Sequence, residues 1–238
     1  MEEKIKIQTE DNHIIYGTLN CKDSKSKSLL IFVHGFTGNQ NEHHYFNAVP
    51  FFTGKNYDTF RFDFYSKKEK GRSLSECSLT DHSNDLDLIV DNFKNEYDEL
   101  IIIGHSLGGL VILKSELSNV SKIILWDPTN PFKDLKHKNA VYDSTLDKYL
   151  IKGKMDFYVG KKLIEEWMET DFSILLPNLK VPCKIIFAGN NNKYELWKPD
   201  LSKIKVKSEF VIVDNATHCF IEEGTEEKLF EETLNYLK

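Results

Sequence analysis

The chain has 238 residues, with 31 Lys and Arg against 37 Asp and Glu for a formal charge of −6; 40% of its residues are hydrophobic and 29% charged. This is a globular composition, long enough to bury about 70% of the unfolded surface and so to form a core without staples. The lysines are interleaved with acids, which argues against nucleic acid as the main partner, because phosphate binding needs a basic stripe.

The chain opens with two alternating segments, Ile5 to Thr9 and Ile14 to Asn20, joined through Asp11-Asn12. They predict an antiparallel hairpin at a sheet edge. Leu29 to Val33, Thr59 to Phe64, Leu100 to Ile103, Lys122 to Trp126, Cys183 to Ala188 and Glu209 to Val213 are nearly continuous apolar runs. Such runs suit parallel strands buried on both faces. Helical periodicity fills the intervals at Thr80 to Asn95, capped at Thr80-Asp81, at Leu107 to Asn119 and at Glu223 to Leu237. The expectation is one α/β domain spanning residues 1–238, with a mostly parallel eight-stranded sheet covered by helices on both faces.

Between Pro128 and Leu179 the rhythm breaks for about fifty residues, which is too long for a plain loop. Two amphipathic stretches there, Leu146 to Ile151 and Tyr158 to Met168, predict a helical insertion packed over the sheet, a lid over about 128–179. Its aromatics, Phe132, Tyr142, Tyr149, Phe157, Tyr158 and Trp167, suit either the lining of an apolar cleft or ordinary core packing.

No apolar run, Leu100 to Ile103 included, approaches the ~20 residues of a membrane-spanning helix. Met1-Glu2-Glu3-Lys4 has neither the basic nor the apolar region of a signal peptide, and a cytoplasmic location is expected. Cys21, Cys77, Cys183 and Cys219 are far apart and form no CxxC pair, as suits reduced thiols. No distinctive interface signature indicates an oligomeric state.

The most informative segment is Leu100-Ile101-Ile102-Ile103-Gly104-His105-Ser106-Leu107-Gly108-Gly109, a buried strand running through Gly-x-Ser-x-Gly into a helix. A serine on so tight a turn is strained, and its neighbours must be small, which gives Gly104 and Gly108 a steric purpose. The turn lifts the Ser106 hydroxyl above the sheet, and the helix N-terminus sets free N–H groups beside the place an oxyanion would form.

Here the sequence resembles the α/β-hydrolase family over essentially the whole chain. Leu29 to Val33 followed by His34-Gly35-Phe36-Thr37-Gly38 is similar to the family's oxyanion-loop strand. The resemblance implies main-chain N–H donors at Phe36 and Leu107. His34 and His105, beside such glycines, read as structural. Arg61-Phe62-Asp63-Phe64 resembles the end of the next strand, but the Gly-His-Gly that often follows is replaced by Tyr65-Ser66-Lys67-Lys68.

A hydroxyl needs a base to become a nucleophile at neutral pH. His218, in the loop after the last strand, fits the family's catalytic histidine, and His13, His43, His44, His82 and His137 sit elsewhere. The acid departs from the pattern. It usually follows the strand equivalent to Cys183 to Ala188 in a Gly-x-x-Asp turn, but here the chain reads Gly189-Asn190-Asn191-Asn192. Three readings stay open: Asp127, in Trp126-Asp127-Pro128 at an alternative position some members use; Glu195 or Asp200, from the following loop; or no acid at all.

Serine at the elbow excludes the alkyl-enzyme chemistry of relatives that carry aspartate there, leaving acyl transfer to water. The resemblance is greatest to small cytoplasmic carboxylesterases, including cinnamoyl and feruloyl esterases and monoacylglycerol lipases. It implies a small ester as substrate and neither a metal nor an organic cofactor. Two other readings stand beside it: a thioesterase with the same triad, and a non-catalytic scaffold that binds a small ligand or a partner.

Overall fold

In the computed structural model, residues 1–22, 25–131, 139–153 and 155–238 are described. The strands run in chain order as β1 Glu2–Gln8, β2 Ile14–Asn20, β3 Ser28–Val33, β4 Asp58–Asp63, β5 Glu99–His105, β6 Lys122–Trp126, β7 Ala140–Asp143, β8 Lys148–Ile151, β9 Phe157–Gly160, β10 Cys183–Ala188 and β11 Ser208–Val213. The helices are α1 His43–Thr53, α2 Leu79–Phe93, α3 Leu107–Lys114, α4 Lys161–Met168, α5 Phe172–Asn178, α6 Lys193–Leu201 and α7 Thr225–Leu237.

Eight strands make one sheet in the order β1-β2-β4-β3-β5-β6-β10-β11. The β1–β2 and β2–β4 pairs are antiparallel and the others parallel. All eight strands read from the sequence are present, and the expected hairpin lies at the edge. Side-chain alternation divides the core in two. Leu30, Phe32, Ile103 and Trp126 meet Tyr45 and Phe52 of α1 and Leu229 and Phe230 of α7. Leu29, Ile31, Val33, Ile102 and Leu125 face the other way, toward Leu86, Ile89, Leu110 and Leu176. Each such buried side chain contributes about 1.5–3 kcal/mol of burial.

The helix ends differ from expectation where local polar chemistry decides. Ser78, not Thr80-Asp81, caps α2: its hydroxyl accepts from the Asp81 N–H at 2.9 Å and the Asp81 carboxylate accepts from the Ser78 N–H at 2.8 Å. Helix α3 stops at Lys114, because Ser115 turns extended and its N–H bonds back to Val111 and Ile112. Helix α1, absent from the sequence reading, carries Tyr45, Ala48 and Phe52 on its buried face.

The insertion differs from expectation more deeply. Residues 146–151 are a turn and a strand rather than a helix, and Tyr158 also lies in a strand: β7, β8 and β9 form an antiparallel three-stranded sheet. The Asp143 carboxylate accepts from the Thr145 and Leu146 N–H groups and closes the β7–β8 turn, a capping motif the periodicity could not show. Helix α4 then follows from Lys161. At Gly160 a Cβ would lie 2.3 Å from the Cys77 carbonyl oxygen, so the bare backbone is what lets β9 dock on the main body. Phe132 and His137 lie outside the described residues.

Cys77 and Cys183 are buried free thiols and Cys21 and Cys219 are half-buried ones. Among the described residues no helix is long and apolar enough to cross a membrane.

Candidate active site

Ser106 stands between the end of β5 and the start of α3 at φ 56°, ψ −120°. That conformation costs on the order of 1–3 kcal/mol and persists only where the surroundings enforce it. They do so tightly. A Cβ on Gly108 would lie 2.3 Å from the Val33 carbonyl oxygen, and one on Gly104 would lie 2.8 Å from the Gly108 backbone, so no larger residue fits at either place. The backbone is cross-braced as well. The Ser106 N–H donates to the Trp126 carbonyl at 3.1 Å and the Ser106 carbonyl accepts from Thr129 at 3.0 Å.

His218 lies in the loop between β11 and α7, with Nε2 2.9 Å from Ser106 Oγ and Nδ1 2.5 Å from Asp127 Oδ2. Thr217 fixes this loop, donating from both N–H and hydroxyl to the Glu222 carboxylate. His105 Nε2–H donates to the His218 carbonyl at 2.8 Å, and the two rings stack.

Asp127 follows β6 directly, fully buried and at φ 41°. Its N–H donates to the Ile186 carbonyl at 2.7 Å, and its Oδ1 accepts from the Ala188 N–H at 3.0 Å. Burial works to raise its pKa, but the hydrogen bond from His218, the charge of Lys193 and the Ala188 N–H together hold it below the ordinary value. A carboxylate so placed keeps the imidazole oriented and stabilises the cation that forms when Nε2 takes a proton.

Two of the three asparagines at the usual acid position are engaged by their side chains. Asn190 donates to the Asn215 carbonyl at 2.8 Å and ties the loop after β10 to the loop that carries His218. Asn191 donates to Asp127 Oδ2 at 3.0 Å, and Asn192 stands at the N-cap of α6. Lys193 Nζ reaches the same carboxylate at 3.0 Å. Glu195 and Asp200 do not approach His218: they pair with Lys198 on α6 and with Lys203 just after it.

The loop after β3 crosses above the serine, and a Cβ on Gly35 would sit 2.9 Å from Ser106 Cβ. Neither the Phe36 nor the Leu107 N–H bonds to another of the described residues, so both remain available to an oxyanion. Asp63 secures the loop, accepting from the Gln40 N–H at 2.8 Å and from Gln40 Nε2 at 2.6 Å. Arg61 Nη1 donates to the Gln40 carbonyl at 3.2 Å. His34 is structural: one ring nitrogen bonds the Gly35 carbonyl and the other accepts from Phe64, and burial pushes its pKa down.

A family model described as the alpha/beta hydrolase family matches residues 30–231. The chain belongs to the alpha/beta hydrolase family. No curated protein matches the sequence, but solved structures share the fold of this alpha/beta hydrolase. Est1E from Butyrivibrio proteoclasticus with ferulic acid bound superposes at a TM-score of 0.80 and 17% identity, over 98% of this chain and 97% of that one. The esterase domain of a Rhodothermus marinus protein gives 0.74 at 18% identity, over 99% and 97%. A Paleococcus ferrophilus monoacylglycerol lipase gives 0.71 at 14% identity, over 94% and 98%.

In this alpha/beta hydrolase, Ser106, His218 and Asp127, far apart in the chain, form one hydrogen-bonded line, and Phe36 and Leu107 flank it. Of the insertion's aromatics, Phe157 and Trp167 pack on Phe36 at ring distances of 6.1 and 5.7 Å. Tyr142, Tyr149 and Tyr158 are engaged within the small sheet. The sequence reading missed Lys193, Asn191 and the His105 contact. The run Gly189-Asn190-Asn191-Asn192-Lys193 was the available signal, since a departure at an acid position asks what the loop holds instead. Among the described residues no cluster of His, Cys, Asp and Glu is suited to a metal ion.

Proposed function

We propose that this protein is a serine hydrolase that cleaves carboxylic esters through an acyl-enzyme on Ser106. The observation that carries the reading is the unbroken line Ser106 Oγ, His218, Asp127 at 2.9 and 2.5 Å. Ser106 Oγ attacks the ester carbonyl as its proton passes to His218 Nε2. Asp127 stabilises the imidazolium, and the Phe36 and Leu107 N–H groups receive the oxyanion. The intermediate collapses with transfer of the proton from His218 to the departing alkoxide. Water, deprotonated by His218, then attacks the acyl carbon and frees Ser106.

The insertion acts as a lid in this reading, with Phe157 and Trp167 beside Phe36 forming an aromatic wall next to the acyl site. Ferulic acid bound to the similarly folded Est1E and the name of the Paleococcus lipase support esters with an aromatic or long-chain acyl group. The scaffold reading drew its force from a missing acid, and the 2.5 Å contact of Asp127 with His218 supports the hydrolytic reading over it. Free thiols at all four cysteines suit a cytoplasmic location.

The test is hydrolysis of p-nitrophenyl esters of graded acyl length, with Ser106→Ala as control and fluorophosphonate labelling of the folded protein in parallel. Turnover and labelling that both vanish with Ser106→Ala are expected. A folded protein that neither turns over nor labels overturns the reading.

A further inference from the structure

Lys193 opens α6 immediately after the three asparagines, and its ammonium lies inside the hydrogen-bonded line rather than beside it. Its Nζ is 2.8 Å from the Asp127 carbonyl oxygen, 3.0 Å from Asp127 Oδ2 and 2.9 Å from His218 Nδ1. The side chain is 17% exposed. Two of these contacts hold the acid: one pins the carboxylate and the other the carbonyl of a residue at positive φ. The third competes with the acid, because Nδ1 carries either a proton to give or a lone pair to receive one, never both.

These alternatives define two arrangements of the same atoms. In one, Nδ1–H donates to Asp127 and Nε2 is free to take the Ser106 proton. In the other, Lys193 donates to Nδ1 and the ring proton sits on Nε2, aimed at Ser106 Oγ, so the ring cannot act as base. The first is the working tautomer and the second an idle one. When His218 takes a proton, the ammonium also faces an imidazolium at contact distance and opposes it. Resting on the ester-hydrolase reading above, we infer that Lys193 is a positioning residue that tethers Asp127 while opposing protonation of His218, and so sets the pH at which the triad begins to work.

Among the described residues, the other groups around His218 do not supply this charge. Asp127, at the end of β6, carries the opposite sign. His105, ending β5, is held neutral by burial, and His44 on α1 is pushed down by burial to about 3. The Cys219 thiol is raised by burial and stays protonated. Among the described residues, Lys193 is then the cation in contact with the ring.

The experiment is the pH profile of kcat/KM for a p-nitrophenyl ester in the parent protein and in Lys193→Met, Lys193→Gln and Lys193→Arg. A like charge at this range shifts a titration by about one pH unit or more. The acid limb should therefore move up by about one unit in Lys193→Met and in Lys193→Gln, which keeps a donor without charge. In Lys193→Arg it should stay within a few tenths of its original position. A limb unmoved in the Met and Gln variants, or moved equally in all three, overturns the proposal.

The midpoint of the His218 ring resonances, followed by NMR in the same proteins, reads the effect without turnover. An upward move on loss of the charge is expected, and no move refutes the role even in a protein that fails to hydrolyse esters. Absence of hydrolysis and of Ser106 labelling in the parent protein counts instead against the ester-hydrolase reading.

Discussion

The ring of His105 lies 4.5 Å from that of His218, tilted by only 30°, and its Nε2–H donates to the His218 carbonyl oxygen at 2.8 Å. The residue inside the serine motif thereby holds the backbone of the residue that would activate the serine.

Replacing His105 with Phe keeps the stack and deletes the donor. Displacement of a reacting group by about 1 Å costs up to 10²-fold in rate. His105→Phe should lower kcat by about 10- to 10²-fold, with melting temperature nearly unchanged and KM less affected. An unchanged kcat would show that the Thr217–Glu222 bonds suffice to place His218.

Asp127→Asn should lower ester hydrolysis by about 10⁴-fold, the cost of the equivalent exchange in a serine-protease triad. Glu195→Gln and Asp200→Asn, whose carboxylates pair with Lys198 and Lys203, should change it little. The reverse ranking, measured in one assay at one pH, would discard Asp127 as the acid.

Asp63 anchors the loop after β3 through two hydrogen bonds from Gln40 to its nearly buried carboxylate. Such bonds are worth about 1.5–3 kcal/mol each. Asp63→Ala should destabilise the fold by about 3 kcal/mol, lowering Tm by about 6–12 °C at this chain length. Its kcat should fall as well, because the Phe36 N–H loses its fixed position. A variant that melts like the parent protein would show the loop to be held elsewhere.

His82 is buried against Phe64, with rings 4.2 Å apart and nearly parallel, and neither ring nitrogen has a hydrogen-bond partner among the described residues. Burial, with the nearby His34 and Arg72, holds its pKa well below the ordinary value. The unfolded chain therefore binds more protons than the folded one below about pH 6.5, and stability that is complete above that pH drains away as the pH falls. The slope for one such histidine is at most about 1.4 kcal/mol per pH unit. His82→Phe should reduce the loss of Tm between pH 7 and pH 5 by several degrees and change Tm little at pH 8. An identical pH dependence in both proteins would refute a buried neutral His82.

The framework was legible because parallel strands buried on both faces leave long apolar runs, as in Leu100 to Ile103. The serine turn was legible because its glycines are sterically forced. The insertion was misread because Leu146 to Ile151 gives the same short amphipathic signal as a turn and strand, which the Asp143 side chain decides by capping the turn. Asp127 could be named as one candidate but not chosen. Nothing in Trp126-Asp127-Pro128 reveals that β10 brings Ala188, Asn191 and Lys193 to its carboxylate. That neighbourhood is made by strand order.

The bonds from Ser106 to Trp126 and Thr129, and from Asp127 to Ile186 and Ala188, run across β5, β6 and β10, three adjacent strands drawn from Glu99–His105, Lys122–Trp126 and Cys183–Ala188. The proposed nucleophile and acid are thus set by strand register rather than by two independent loops. A partly folded chain with β5 and β6 joined but β10 unpaired would hold the serine without an oriented carboxylate. Recovery of ester hydrolysis after dilution from denaturant then becomes a clock for closure of the middle of the sheet, and should lag any probe that sees only the N-terminal hairpin.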